Sequence, residues 1–143
     1  MAAVSKAESH WRGGLADGQG RIHVASGAFD DFEVTWAARA EREHGKTSPE
    51  ELLAAAHAAC FSMALSHALG QEGHTPQELD VSAEVSFQPG EGITDIELNV
   101  RGRVDGLDPE AFRKAAEGAK AGCPVSKALA GARITLGSAE LAG

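Results

Sequence analysis

Cysteine is scarce in this chain, with two among 143 residues. Two thiols are too few for the crosslinked framework of a small secreted domain, and in a reducing compartment such a pair is catalytic, metal-binding or inert rather than a permanent staple. Positive charge is scarce as well. Lys and Arg number 13 against 21 Asp and Glu, a formal net charge of −8, and the clustered cations that phosphate backbones and anionic membranes require are missing. That balance excludes nucleic acid and a membrane surface and leaves a small molecule or a protein as partner. The opening segment, MAAVSKAESHWRGG, lacks the apolar core of a leader. No stretch approaches the roughly 20 apolar residues of a membrane span, so the sequence predicts a cytoplasmic protein. Low-complexity tracts and internal repeats are also absent. What remains is a single globular domain over 1–143, whose 43% apolar content supplies a core.

The first forty residues read as a meander of strands, SHWRGG, RIHVASG and FEVTWAARAE, separated by turn residues. A long helix follows. Thr47 or Ser48 serves as its N-cap, Pro49 opens it, and Glu50 or Glu51 completes a capping box. It runs to about Leu69 and stops at Gly70 or Gly73. Between Leu52 and Leu65 only His57 and Ser62 are polar, which predicts a helix covered on most sides.

Two strands with period-two alternation come next. Val81, Ala83, Val85 and Phe87 alternate with polar residues, as do Ile96, Leu98, Val100 and Val104, with QPGEGITD as the hairpin between them. Asp108-Pro109-Glu110 caps a second helix that Gly122 ends, Cys123-Pro124 opens a short third, and ARITLGSAEL reads as a final strand. The order predicts an α+β fold with mostly antiparallel sheet rather than a doubly wound one.

Each cysteine sits where a reactive thiol is useful. Cys123 opens a helix, where unpaired N–H groups and the positive dipole end favour the thiolate. Cys60 lies on the long helix and shares a face with His57, Ala64 and His67 by helical spacing. Among alanines its acidity falls unless a cation stabilises the thiolate. Arg39, on the strand before the helix, and Arg21, near the first turn, are the candidates, and Glu50 or Glu51 would orient the guanidinium through a bidentate pair. Each has an ordinary alternative: a cysteine among alanines is by default a small hydrophobe, the glutamates are capping residues, Arg39 is a solvated residue, and His57 and His67 are core-edge histidines. A metal site fails on geometry. His57 and His67 stand ten residues apart on one helix, ~15 Å in rise, and His10, His23, His44 and His74 have no ligand spacing.

The run TSPEELLAAAHAACFSMALSHAL together with AGCPVSKAL resembles the osmotically inducible/organic hydroperoxide resistance (OsmC/Ohr) family, its OsmC branch in particular. The resemblance extends over AESHWRGG, the Arg39 segment, EGHTP and ITLGSAEL. It implies an intertwined homodimer, with mostly antiparallel sheets wrapped around a long central helix and two active sites at the subunit interface. It further implies that Cys60 is the peroxidatic cysteine, Cys123 the resolving one, and Glu50 the carboxylate holding the catalytic arginine, with Glu51 left as the cap. The OsmC branch takes that arginine from the segment before the PEEL motif, hence Arg39. The Ohr branch takes it from the first hairpin, near Arg21. The implied activity is reduction of organic hydroperoxides, and less efficiently hydrogen peroxide, with an intramolecular disulfide recycled by a dithiol such as a lipoyl-bearing protein. No cofactor and no metal are implied. Phe61, Met63 and Leu53 are the candidates for an apolar entrance near Cys60. A thiol redox sensor or ligand-binding dimer without turnover is the rival.

Overall fold

Alternating apolar and polar residues produce strands where the pattern predicts them. The computed structural model describes residues 1–42 and 45–142, so His44 lies outside the described residues. It is an α+β structure made of two compact units, Met1–Leu52 and Leu53 onward.

In the first unit, β1 (Ala7–Arg12), β2 (Gln19–Val24) and β3 (Phe32–Val34) form an antiparallel sheet in that order. All six β1 residues are exposed in the single chain. The third predicted strand is cut short: Trp36–Glu41 is a helix, α1, and Arg39 lies on it rather than on a strand. Thr35 causes the switch. Its Oγ1 accepts from the Ala38 N–H at 3.0 Å, and the WAARAE that follows is rich in helix formers that need no sheet partner.

The long helix α2 (Pro49–Gln71) starts at Ser48, whose Oγ accepts from the Glu51 N–H at 3.1 Å. Its end is a Schellman closure: His74 N–H bonds to Leu69 C=O at 2.8 Å and Gly73 N–H to Gly70 C=O at 3.0 Å. Gly73 supplies the required positive φ of 84°.

In the second unit β4 (Glu78–Gln88) pairs antiparallel with β5 (Gly92–Arg103). β6 (Arg133–Leu141) pairs parallel with β5, because α3 (Pro109–Gly122) and α4 (Pro124–Ala128) carry the chain back over the sheet. Asp108 caps α3 by accepting from the Ala111 N–H at 2.8 Å.

The core of this unit gathers Phe61, Leu65 and Leu69 from α2, Leu98 and Val100 from β5, Phe112 and Ala116 from α3, and Leu136 from β6. Each fully buried large side chain contributes about 1.5–3 kcal/mol. Gly102 admits the Phe112 ring, since a Cβ there would lie 2.7 Å from its Cζ.

Two expectations about α2 are corrected. Its buried stripe is one helical face, His57, Phe61, Leu65 and Leu69, while Ala55, Ala56, Ala59 and Met63 are exposed in the single chain. It is therefore covered on one side, not most, because one sheet and one helix reach only one stripe. The helix is also long and apolar enough, by length and composition, to cross a membrane, so the statement that no stretch approaches that limit does not hold.

Candidate active site

Two clusters carry the candidate residues. The first lies in the N-terminal unit. Glu50, the second residue of α2, is only 4% exposed, and Arg39 binds it in a fork: Nε donates to both carboxylate oxygens at 3.0 and 3.2 Å, and Nη2 donates to Oε2 at 2.9 Å. Bidentate geometry of this kind fixes the guanidinium plane as well as its position.

Glu51, next in sequence, faces the other way. It accepts from Thr47 Oγ1 at 2.6 Å and from Arg42 Nη2 at 3.3 Å, with more than half its side chain exposed. The PEEL pair thus divides into a buried arginine ligand and a solvated first-turn carboxylate that ties down Thr47 and Arg42. Arg21 is elsewhere: on β2 it contacts Asp31 at 3.4 Å with 64% of its side chain exposed. Asp31 also accepts from His23 at 2.7 Å, and that bond holds the carboxyl below its usual range.

The second cluster lies in the other unit. Cys60, midway along α2, and Cys123, at the junction of α3 and α4, are both free thiols, and they interact directly. Burial pushes the Cys60 thiol up, and the hydrogen bond with Cys123 adds to the rise. At Cys123 burial also acts upward, but it is outweighed. The Cys60 thiol, the backbone N–H and hydroxyl of Ser126 and the Val125 N–H all favour the thiolate, so the net shift is downward. Pro124 at the start of α4 ends α3 and leaves Cys123 at the N-cap position of the short helix, where its side chain makes no cap hydrogen bond.

His57 and Ser126 complete the cluster. His57 Nε2 meets Ser126 Oγ at 2.7 Å, with His57 fully buried and Ser126 6% exposed. Burial lowers the His57 pKa. His57 is therefore not a core-edge histidine, and it parts from His67, which is exposed. Sequence reading passed over Ser126 altogether. The signal available was a lone imidazole in an otherwise apolar stretch, which needs a polar partner somewhere in the fold.

A groove of about 910 Å³ runs beside Cys60, lined by Met63, Ala64, His67, Lys114, Ala115 and Pro124 among others. Of the three expected entrance residues Met63 lines it, whereas Phe61 is fully buried in the core and Leu53 is not part of the lining. A second cleft, about 510 Å³, lies in the N-terminal unit between Phe29, Phe32, Arg42 and Glu51 and holds neither cysteine. Among the described residues no group of three His, Cys, Asp or Glu is placed to hold a metal. Chemically, the second cluster offers two thiols able to exchange a sulfur–sulfur bond, and the first offers a fixed guanidinium.

Comparison with known proteins gives the context. A model of the OsmC-like protein family matches residues 42–137. The chain is 44% identical over 139 residues to Peroxiredoxin OsmC of Escherichia coli (strain K12), covering 95% of this chain and 96% of that one. It is 34% identical over 122 residues to the organic hydroperoxide resistance protein OhrB of Bacillus subtilis (strain 168), covering 84% and 86%. The crystal structure of B. subtilis OhrB superposes with a TM-score of 0.71 at 29% identity over 98% of both chains. An OsmC protein from Legionella pneumophila gives 0.71 at 23% identity over 100% and 99%, a likeness of fold.

Proposed function

This chain belongs to the OsmC family and is a cysteine-based peroxidase, and on that premise we propose that it reduces organic hydroperoxides through Cys60 and Cys123 by way of an intramolecular disulfide. The observation that carries this reading is that the Cys60 thiol, which lines an apolar groove, interacts directly with the buried thiol of Cys123.

In the first step the Cys60 thiolate attacks the terminal peroxide oxygen. The O–O bond breaks, the alkoxide takes up a proton to leave as alcohol, and Cys60 becomes a sulfenic acid. Arg39, held by Glu50, stabilises the thiolate and the charge that develops on the departing oxygen. In the second step Cys123 condenses with the sulfenic acid, water leaves, and the disulfide forms. An external dithiol, of the kind a lipoyl-bearing protein supplies, then reduces it. The open face of α2 and the exposed β1 support a homodimer, since an apolar helix face in so small a chain is stabilised by burial against a second copy. The reaction suits a reducing, cytoplasmic setting. His67 and Lys114 at the groove leave room for a polar end on an otherwise apolar peroxide.

Steady-state turnover of cumene hydroperoxide with dihydrolipoamide, run beside hydrogen peroxide, tests the reading. Saturable, Cys60-dependent turnover that favours the organic peroxide is expected. A disulfide that forms but is recycled by no dithiol supplied would instead indicate a redox sensor without turnover.

A further inference from the structure

Four polar side chains are buried among the described residues: Ser48, Glu50, His57 and Ser126. Ser48 caps α2 and Glu50 holds Arg39. His57 and Ser126 have no part in the two-cysteine scheme as it stands. Position 57 belongs to the stripe of Phe61, Leu65 and Leu69, where a hydrocarbon side chain would pack without any polar atom to satisfy. A histidine there lowers stability, the more so because its Nδ1 has no hydrogen-bond partner among the described residues.

The other end of the bond explains what the histidine supplies. α4 has five residues, little more than one turn, and a helix so short keeps its shape and place only through tertiary contacts. Of those five only Ser126 is buried, so no fully buried hydrocarbon anchors the helix. What fastens it is the 2.7 Å bond between Ser126 Oγ and His57 Nε2, made in the interior away from competing water. Among the described residues this is the only hydrogen bond between a side chain of α4 and a side chain of another helix. The bond is placed evenly about the thiols. His57 precedes Cys60 by three residues on α2, and Ser126 follows Cys123 by three, about one helical turn in each case. Cys60 lines its groove together with Gly122 and Pro124, the two chain neighbours of Cys123. The two sulfur-bearing segments therefore meet, and the bond joins them one turn away on both sides.

We propose that the His57–Ser126 bond is a tie that sets the spacing of the two thiols, with His57 and Ser126 as positioning residues for closure of the disulfide. The proposal rests on Cys123 being the resolving cysteine. In that step a lone pair of the Cys123 sulfur forms the S–S bond to Cys60, the S–O bond of the sulfenic acid breaks, and hydroxide takes up a proton to leave as water. No oxidant beyond the hydroperoxide enters. His57 and Ser126 exchange no proton in the step and act by placement, which raises the effective concentration of one thiol toward the other. A hydrogen bond constrains distance and angle, whereas apolar contact is non-directional. Placement is indifferent to the tautomer, because neutral His57 makes the bond either as donor to the hydroxyl or as acceptor from it.

Two readouts on the full chain test the tie. Equilibration with glutathione and its disulfide at fixed pH gives the effective concentration of the thiol pair. Single turnover with one equivalent of cumene hydroperoxide, quenched at intervals, gives the rate at which sulfenic acid closes to disulfide. Ser126→Ala and His57→Phe should each lower both quantities about tenfold, the scale of one lost buried hydrogen bond, while Cys60 oxidation stays near the parental rate. His57→Gln, which can still bond the hydroxyl, should recover most of the loss. The double variant His57→Leu/Ser126→Ala removes both polar groups and should be more stable to denaturant than Ser126→Ala, yet closure in it should remain slow. A role in stability alone would make closure follow stability. Alkylation of Cys123 against pH in a Cys60→Ala background should not move when Ser126→Ala or His57→Phe is added. Parental effective concentration in both single variants, or parental closure in the double variant, would overturn the tie. So would a shifted alkylation profile at unchanged effective concentration, which would assign the pair to thiol acidity instead. Sulfenic acid that decays in Cys123→Ser as fast as in the parent would overturn the resolving assignment and the proposal with it.

Discussion

The N-terminal unit and the unit that follows each bury polar chemistry, and they do so by opposite means. Around Glu50 the buried group carries a full charge, and a forked, partly exposed guanidinium balances it. Around Cys123 the groups that favour the thiolate, the Cys60 thiol and the Ser126 and Val125 groups, are neutral and together outweigh burial, and beside them His57 and Ser126 form a buried neutral pair. An ion pair of the first kind is severely weakened when either member is lost. A neutral network degrades in steps, with each member removing a share.

The largest effect that would sharpen this contrast is at the reacting thiol itself. Cys60→Ser should lower peroxidase turnover on the order of a thousandfold or more, as expected when a nucleophile is removed, with melting temperature near the parent's. Turnover retained in this variant would remove the second cluster from the reaction. Next comes the ion pair. Arg39→Ala leaves a buried carboxylate without its partner and should destabilise by about 3 kcal/mol, whereas Arg42→Ala, which breaks the exposed pair with Glu51, should cost about 0–1 kcal/mol. Denaturant unfolding of the two variants measures the difference directly. Equal losses would deny Glu50 its special environment. Phe61→Ala, in the core beside the neutral cluster, should cost about 3–5 kcal/mol by the same assay.

A smaller effect is expected from acid. The folded-state pKa of His57 is depressed by burial below the ordinary imidazole value of about 6.5, so the unfolded chain takes up a proton that the folded chain refuses. Stability is therefore complete above about pH 6.5 and falls as pH drops from there through the folded pKa. His57→Phe should flatten this part of the stability profile. A profile unchanged by the substitution would place the acid sensitivity elsewhere. The smallest change belongs to Arg21→Ala, which removes an exposed contact with Asp31 and should leave peroxide turnover within about twofold of the parent. A loss exceeding that of Arg39→Ala would transfer the arginine's role to the first hairpin.

The two regions also differ in how plainly the sequence displays them. The N-terminus of α2 is local chemistry: Ser48 caps the helix as read, whereas the carboxylates expected to complete a capping box bind Arg39 from Glu50 and Thr47 and Arg42 from Glu51. Glu50 differs from Glu51 only by helical phase, which turns the one inward and the other toward solvent. α1 was misread as strand because FEV begins with alternation, and only Thr35, a cap that resembles a strand residue, marks the change. In the second unit, β4, β5 and the α3 cap were legible from period and capping alone. The parallel pairing of β6 was not, since register depends on the return path through α3 and α4. Ser126 was invisible for the same reason. It lies 69 positions from His57, and no local pattern reports a contact made by tertiary packing.

The most direct measurement is of the products after one equivalent of cumene hydroperoxide meets the reduced protein. Two-cysteine chemistry predicts one equivalent of alcohol, the loss of both free thiols, and a peptide map with Cys60 joined to Cys123 in the same chain. A stable sulfenic acid on Cys60 beside an untouched Cys123 thiol would contradict it.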